Sequence, residues 1–191
     1  MGAMTRRSYK RSVFSSYVSE LRRTGLFDDV RAGASMELAA LLDRPGEAPA
    51  WIGPGPFEEV TASIHSRRGR EGLRKLGYQV MKNGFAAIFE PIVHLSLTLF
   101  AASPAALFSR APLMLSVTSR GVQMKWTPTS PTGGTMEVRC AEPVPDLNWI
   151  PWEGIYLHML EMTRASGTVG MARPASDGRS CQIDISWTPT K

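Results

Sequence analysis

The segment from Trp152 to the C-terminus constrains the fold of this 191-residue chain more than any other part. Between Trp152 and Arg164, apolar Ile155, Met159 and Met162 recur at positions i, i+4 and i+7, a spacing typical of one face of an α-helix. An apolar helix face has to be covered by another element, so we expect this helix to pack on a sheet.

Two strands are predicted directly after this helix. Gly167 is expected to end the helix, and Val169 and Met171 begin the first strand. A turn at Ser176-Asp177-Gly178 leads to the run from Cys181 to Trp187, the most regular apolar alternation in the chain. The C-terminus is therefore predicted to be a helix followed by a β-hairpin.

Three further strands are predicted in the middle of the chain, where the apolar period changes to two. The alternating runs cover residues 113–117, 122–126 and 136–140. We expect Arg120-Gly121 to form a tight turn between the first two runs, and a turn segment over residues 130–134 precedes the third. Together they predict a three-strand meander.

Helical spacing dominates the N-terminal half. Helices are predicted over residues 8–23 and 27–42, from residue 57 with an interruption near Gly69, from residue 71 through a bend at Gly84, and again from Pro91. Residues 44–56 are expected to form a loop anchored by Trp51. Runs of helices followed by runs of strands predict an α+β fold: N-terminal helices, then an antiparallel sheet of meander, helix and C-terminal hairpin, packed on helices.

We expect two parts along the chain. Residues 1–26 are interpreted as a short cloning remnant before Met4 and a basic N-terminal helix, and residues 27–191 as a single α+β sensor-like domain. The most apolar stretch, Phe85 to Ala102, contains Glu90 and His94, which a bilayer would penalise, so a buried core helix is the better interpretation. These features predict a cytoplasmic protein without a membrane span.

The motifs of common enzymes and metal sites are missing. There is no Gly-x-Ser-x-Gly, no glycine-rich phosphate loop, and no paired-His or paired-Cys spacing. Cys140 and Cys181 each fall on the apolar side of a strand-like run, so we expect reduced, buried thiols. The prediction is a protein without catalytic residues, metal ligands or a cofactor, although one sequence leaves open a site assembled from distant positions.

Aromatic and methionine side chains at helical spacing suggest an apolar pocket. Such side chains make adaptable walls for ligands, but the same stripe also suits an ordinary packed core. The candidate ligand-binding residues are Tyr78, Met81, Phe85 and Phe89, facing Trp126, Trp152, Tyr156 and Met159.

Basic residues form two clusters, one over residues 6–11 and one over residues 67–75, within a net charge of +5. Clusters of this kind bind phosphates or acidic partner surfaces, but they also occur on ordinary solvated helix faces. The candidate contacts to nucleic acid or an acidic partner are Arg67, Arg68, Arg70, Arg74 and Lys75.

The order of elements, the Leu76-Gly77-Tyr78 step within a long helix, and the Gly154 to Gly167 helix before a Trp-terminated strand resemble an uncharacterised family abundant in myxobacteria. More distantly, this layout is similar to the group of α+β folds that contains heme-NO-binding, 4-vinyl-reductase-like and transport-particle-subunit proteins. Members of that group bind small ligands, lipids or partner proteins. The resemblance implies a sensor or adaptor domain that forms a dimer.

His94 is the residue that could match the histidine of the heme branch. It follows Glu90 by one helical turn, so the two share a polar stripe with Thr98 and Ala101. The tyrosine-serine-arginine signature of that branch is absent. His94 is therefore either a histidine satisfied by Glu90 or a ligand-binding residue that coordinates heme or a metal.

Three functions follow in order of preference. The first is a non-enzymatic cytoplasmic regulatory or adaptor domain that binds an apolar small ligand or a partner protein, as a homodimer. The second is a nucleic-acid-associated protein that uses the cluster over residues 67–75, and a heme-type sensor through His94 is the further alternative.

Overall fold

The computed structural model describes residues 5–85 and 103–188. The predicted core helix between Phe85 and Ala102 and the helix expected to begin at Pro91 lie outside these residues. In the described part, helices precede an antiparallel sheet, so the predicted α+β class is confirmed.

The N-terminal part contains short strands among its helices. Its elements are β1 (Ser8–Lys10), α1 (Arg11–Arg23), α2 (Phe27–Ala32), α3 (Met36–Asp43), a 3-10 turn (Pro45–Glu47) and β2 (Trp51–Ile52). Strand β1 pairs antiparallel with β2 and with β3 (Ser119–Arg120), in the order β2-β1-β3.

Two helix predictions in this part are wrong in their bounds. Residues 8–10 were predicted to be helical, but they form a strand because the backbones of β2 and β3 pair with them on either side. The single helix predicted over residues 27–42 divides at Gly33, and Ser35 begins α3 by accepting a hydrogen bond from Leu38 N at 3.2 Å.

Helix α4 runs from Gly55 to Gln79 and continues as a π-helix over Val80–Phe85. Gly69 has φ +60° and ψ −162°, so it interrupts α4 at the predicted place. This combination of angles is accessible almost exclusively to glycine.

The predicted strand over residues 113–117 is wrong, because this segment is the end of a helix. Helix α5 extends from Pro104 to Ser116 and begins at Ser103, whose hydroxyl accepts from Ala106 N at 3.3 Å. Its buried side chains are Leu107, Phe108, Ala111 and Met114, which recur with helical period. Leu113 and Val117 are exposed, so their alternation does not mark a buried face.

The main sheet confirms the C-terminal strands. It comprises β4 (Val122–Ser130), β5 (Gly133–Cys140), β6 (Gly167–Val169), β7 (Arg173–Pro174) and β8 (Ser180–Trp187), in the order β4-β5-β8-β6, with β7 also paired to β8. Along β8, Cys181, Ile183 and Ile185 are buried, while the residues between them face solvent. Met171, which was predicted to lie in a strand, is exposed and follows the end of β6.

Helix α6 (Ile150–Met162) packs on α4 at a close backbone crossing. A Cβ added at Gly77 would collide with the carbonyl of Pro151, and a Cβ added at Gly154 would collide with the carbonyl of Arg74. The two helices can approach this closely because both residues at the crossing lack side chains. This crossing joins the N-terminal helices to the part of the chain that carries the main sheet.

One hydrophobic cluster extends through both parts of the described chain. Phe14 and Leu21 of α1 are fully buried in it, together with Met136 and Ile183 of the sheet. The N-terminal helix therefore packs into the core rather than projecting from it. Within residues 5–85 and 103–188, no helix is long and apolar enough to cross a membrane.

Candidate ligand cavity

An apolar cavity of about 110 Å³ lies where β1, α1, α4, α5 and α6 meet. Its walls are mainly aliphatic, aromatic and methionine side chains, including Val13, Phe57, Met114 and Ile155. The rings of Tyr9, Phe14 and Tyr17 pack around Phe57, with centroids 4.8, 5.3 and 5.4 Å away. This aromatic cluster fixes the wall formed by the N-terminal segment.

Arg7 places a buried cation in the cavity wall. The residue is 4% exposed, and its guanidinium pairs through Nη2 with the carboxylate of Glu58 at the start of α4. Its backbone N donates to Oε1 of Glu142 at 3.3 Å. Its Nε, however, has no hydrogen-bond partner. A buried guanidinium is thus neutralised by a carboxylate but keeps one unused donor.

Trp149 supplies a second unused donor. It precedes α6 and lines the same cavity, and it is 1% exposed. Its indole Nε1 has no hydrogen-bond partner. Buried polar groups are normally satisfied, so two unsatisfied donors in the residues that line one cavity are an unusual feature of this molecule.

The remaining polar groups of the wall are neutral or already bonded. Burial raises the pKa of Tyr17 to about 12 and that of Tyr9 still further. Burial also raises the pKa of the Cys140 thiol to about 11, although the nearby Arg7 cation opposes this shift. The Thr61 hydroxyl donates to the carbonyl of Phe57 at 2.7 Å. None of these groups is prepared to act as a nucleophile or base near neutral pH.

The structure brings four of the predicted ligand-binding residues to this cavity: Met81, Trp152, Tyr156 and Met159. Tyr78 lies elsewhere, where its hydroxyl donates to Glu161 at 2.6 Å and its ring packs edge-on against His158. The side chain of Phe85, and Phe89 and His94, lie outside the described residues. Ligand binding by any of these side chains stays a prediction.

Trp126 also lies apart from the cavity. It stacks on Phe108 with centroids 5.2 Å apart and on Trp187 with centroids 6.3 Å apart, which forms an aromatic layer against the main sheet. The spacing of Trp126 along the sequence could not show whether it packs in the core or lines a pocket, because aromatic side chains suit both.

Sequence reasoning missed Arg7 and Trp149 as cavity residues. Arg7 belongs to a run of basic residues that resembles an ordinary solvated surface. Its burial depends on Glu58, which is distant in sequence. Trp149 and the adjacent Ile150 are both buried.

The basic cluster over residues 67–75 is partly engaged in ion pairs. Arg67 pairs with Asp29 at 3.3 Å, and Arg70 pairs with the buried carboxylate of Glu153. Arg74 is half-buried, while Arg68 and Lys75 are exposed. The cluster therefore does not present five free cations on one surface, and nucleic-acid binding stays a prediction.

Metal-binding clusters are absent from the described residues: no three His, Cys, Asp or Glu side chains there could hold one ion. Cys140 and Cys181 are buried and unpaired, as predicted.

No protein-family model matches the chain, and no curated protein does. Solved structures match it over nearly its whole length. An Fe(II) unliganded H-NOX protein from K. algicida is 10% identical, with a TM-score of 0.67 over 95% of this chain and 97% of that one. A point mutant of the same protein is 9% identical, with a TM-score of 0.69 over 94% and 97%.

A third H-NOX structure, from work on heme distortion in that family, is 15% identical, with a TM-score of 0.62 over 94% of this chain and 95% of that one. At these identities the likeness shows a shared fold. The predicted distant similarity to the heme-NO-binding fold group is thus confirmed, whereas the myxobacterial family remains a prediction.

Proposed function

We propose that this protein is a non-enzymatic cytoplasmic regulatory domain that binds an apolar small molecule in the cavity between its N-terminal segment and α6. The observation that carries the proposal is the cavity itself, whose walls are mainly apolar. Small-molecule sites are concave and are lined predominantly by hydrophobic and aromatic side chains, as this cavity is. The likeness to H-NOX proteins supports a sensor role.

Binding at this place would couple two parts of the molecule. The cavity is walled by β1 and α1 on one side and by α6 on the other. A ligand that contacts both sides would favour the arrangement in which they are closed upon it. A partner protein that binds to either side would then respond to the ligand. A homodimer is one assembly in which this response could occur.

The described lining residues do not fit a heme. Proteins hold heme iron through His, Tyr, Met or a Cys thiolate. The described wall contains methionines but no histidine, and methionine ligates heme iron in partnership with a histidine. Burial keeps the Cys140 thiol and the Tyr17 hydroxyl protonated near neutral pH. The cavity volume is also below the roughly 300–1,000 Å³ of pockets that take drug-sized ligands.

The shared fold favours one second candidate, a heme sensor that uses His94. That residue lies outside the described part of the chain, so its support is the likeness to H-NOX proteins together with its place in an apolar segment after Glu90.

Native mass spectrometry of the purified protein, with an absorption spectrum of the same sample, separates the two candidates. We expect the mass of a bound small molecule in addition to that of the protein, and no heme absorption band. A heme band that disappears in the His94→Ala variant would instead support the second candidate. The native mass spectrum also gives the oligomeric state and so tests the predicted homodimer.

A further inference from the structure

Strand β4 forms one edge of the main sheet, and a hydrogen bond at its start fixes the direction of its backbone groups. Ala141 N donates to the carbonyl of Gly121 at 2.9 Å, and the register places these two residues opposite each other. Hydrogen-bonded and non-hydrogen-bonded pairs alternate along an antiparallel ladder. The backbone N–H and C=O groups of Val122, Met124 and Trp126 therefore point away from β5.

This outer side of β4 has no strand beside it in the described part of the chain. Within residues 5–85 and 103–188, no group forms a hydrogen bond with the backbone of Val122, Met124 or Trp126 on that side. Pro128 comes next in the same alternation, and proline occurs in sheets where its missing N–H is not needed for pairing. The row of open backbone groups is a template for a further strand.

A groove of about 530 Å³ follows this edge. Pro112 and Ser116 of α5 line one side, and every residue of β4 from Val122 to Lys125 lines the other. Successive residues of a strand point to opposite faces of the sheet. A groove that contacts four residues in a row therefore borders the backbone edge itself.

The helix side of the groove offers apolar contacts. Leu113 is 59% exposed and Val117 is 38% exposed, and they follow Pro112 and Ser116 directly along the chain. Large apolar side chains at such exposure are rare among the described residues, where Met36 and Met171 are the others. A strand added beside β4 would cover this apolar surface with every second side chain.

The other face of the edge is positively charged. Lys125 is exposed and lies opposite Glu137 in the register, but Glu137 pairs with Arg139 at 3.2 Å. No acid of the described chain forms an ion pair with Lys125. Two cations and one acid thus border the groove on this face. A second copy of β4 would add another Lys125, whereas an acidic side chain complements the charge.

We infer that this edge binds an extended segment of a partner protein, which joins the main sheet as a further strand beside β4. Its backbone bonds to Val122, Met124 and Trp126. Its apolar side chains contact Leu113 and Val117, and an acidic side chain on the opposite face pairs with Lys125. Binding at this edge does not require a ligand in the cavity.

Peptides of nine residues, the length of β4, test this inference after selection from a random phage-displayed library on the purified protein. We expect the selected sequences to alternate apolar and polar residues and to include an acid among the polar ones. Hydrogen exchange measured by NMR locates the contact. At a free peptide concentration of about ten times Kd, exchange of the Val122, Met124 and Trp126 amides should slow about tenfold, because exchange then occurs from the unbound molecules.

N-methylation of a selected peptide tests its backbone bonds. Only every second N–H of an added strand faces β4, so methyl groups on one alternating set of residues should abolish binding, while methyl groups on the other set should leave it nearly unchanged. Equal effects of the two sets would contradict strand addition.

The charge contact is tested by Lys125→Glu, which should weaken binding of an acidic peptide about fivefold. Lys82→Glu is the matched control, since Lys82 is exposed in the π-helix, and it should leave binding unchanged. Equal weakening in both variants would overturn the pairing of the acid with Lys125.

The exchange data also identify the other possible occupants of the edge. Slow exchange of the three amides in the free monomer would show that another part of this chain already pairs with β4. Protection that rises with protein concentration without peptide would assign the edge to a second copy. Either result overturns the inference, as does a failure to select peptides that protect these amides, and none of these results bears on ligand binding in the cavity.

Discussion

At the scale of single residues, buried polar groups help to hold the N-terminal helices against the part of the chain that carries the main sheet. Glu153 of α6 is 2% exposed, and its Oε1 accepts from Ala172 N at 2.7 Å and also pairs with Arg70 of α4. One carboxylate thus joins α4, α6 and the segment between β6 and β7. Such a group stabilises the fold only while its partners remain in place.

We expect Glu153→Ala to lower the free energy of unfolding by about 2 kcal/mol, because Ala172 N–H and Arg70 would both lose the buried carboxylate that they bind. The measurement is urea unfolding followed by circular dichroism. Glu137→Ala is the matched control, since Glu137 pairs with the exposed Arg139 across 3.2 Å and should change stability by less than about 0.5 kcal/mol. Similar losses in the two variants would contradict the role assigned to Glu153.

His158 should make stability depend on pH. Burial lowers its pKa below 6.5, with Glu161 opposing and Lys82 adding to the shift. Between the folded pKa and 6.5 the unfolded chain binds more protons than the folded one, so stability falls as the pH decreases through this window. The measurement is the free energy of unfolding, obtained from urea unfolding at a series of pH values between 8 and 5. We expect His158→Gln to remove the part of its pH dependence that is due to His158, whereas His65→Gln retains it. An unchanged slope in His158→Gln would show that burial of His158 has no energetic effect.

At the scale of elements, the crossing of α4 and α6 is the contact most sensitive to side-chain size. We expect Gly77→Ala to lower the free energy of unfolding by roughly 3 kcal/mol, because the added methyl group meets the carbonyl of Pro151. Gly55→Ala, at the first residue of α4 with open space around it, should be tolerated. Thermal unfolding of both variants tests this, and equal midpoints would contradict the close crossing.

The sequence predicted elements well where one local pattern decides the structure. Strand β8 has a clear period of two, and Gly69 interrupts α4 because its positive φ suits glycine. Prediction failed where distant segments decide. Leu113 and Val117 alternate like strand residues, but the cap at Ser103 and the burial of Leu107 and Met114 make the segment helical. Strand β1 exists because β2 and β3 pair with it.

At the scale of the whole molecule, the cavity depends on segments that are far apart in sequence. Met81, Trp152, Tyr156 and Met159 were predicted as ligand-binding residues from their apolar spacing, and all four line the cavity. The polar groups could not be found in this way, because the position of Arg7 depends on Glu58, 51 residues away. Apolar periodicity thus indicates the wall, while tertiary pairing determines the chemistry.

The central claim is that this cavity binds apolar ligands, and thermal unfolding in buffer saturated with benzene tests it most directly. Ala111 is buried in the cavity wall, so Ala111→Leu should fill the space without a change of polarity. We expect benzene to raise the Tm of the wild-type protein by about 3 °C and to leave that of Ala111→Leu unchanged. No shift in the wild-type protein, or an equal shift in both, would contradict the claim.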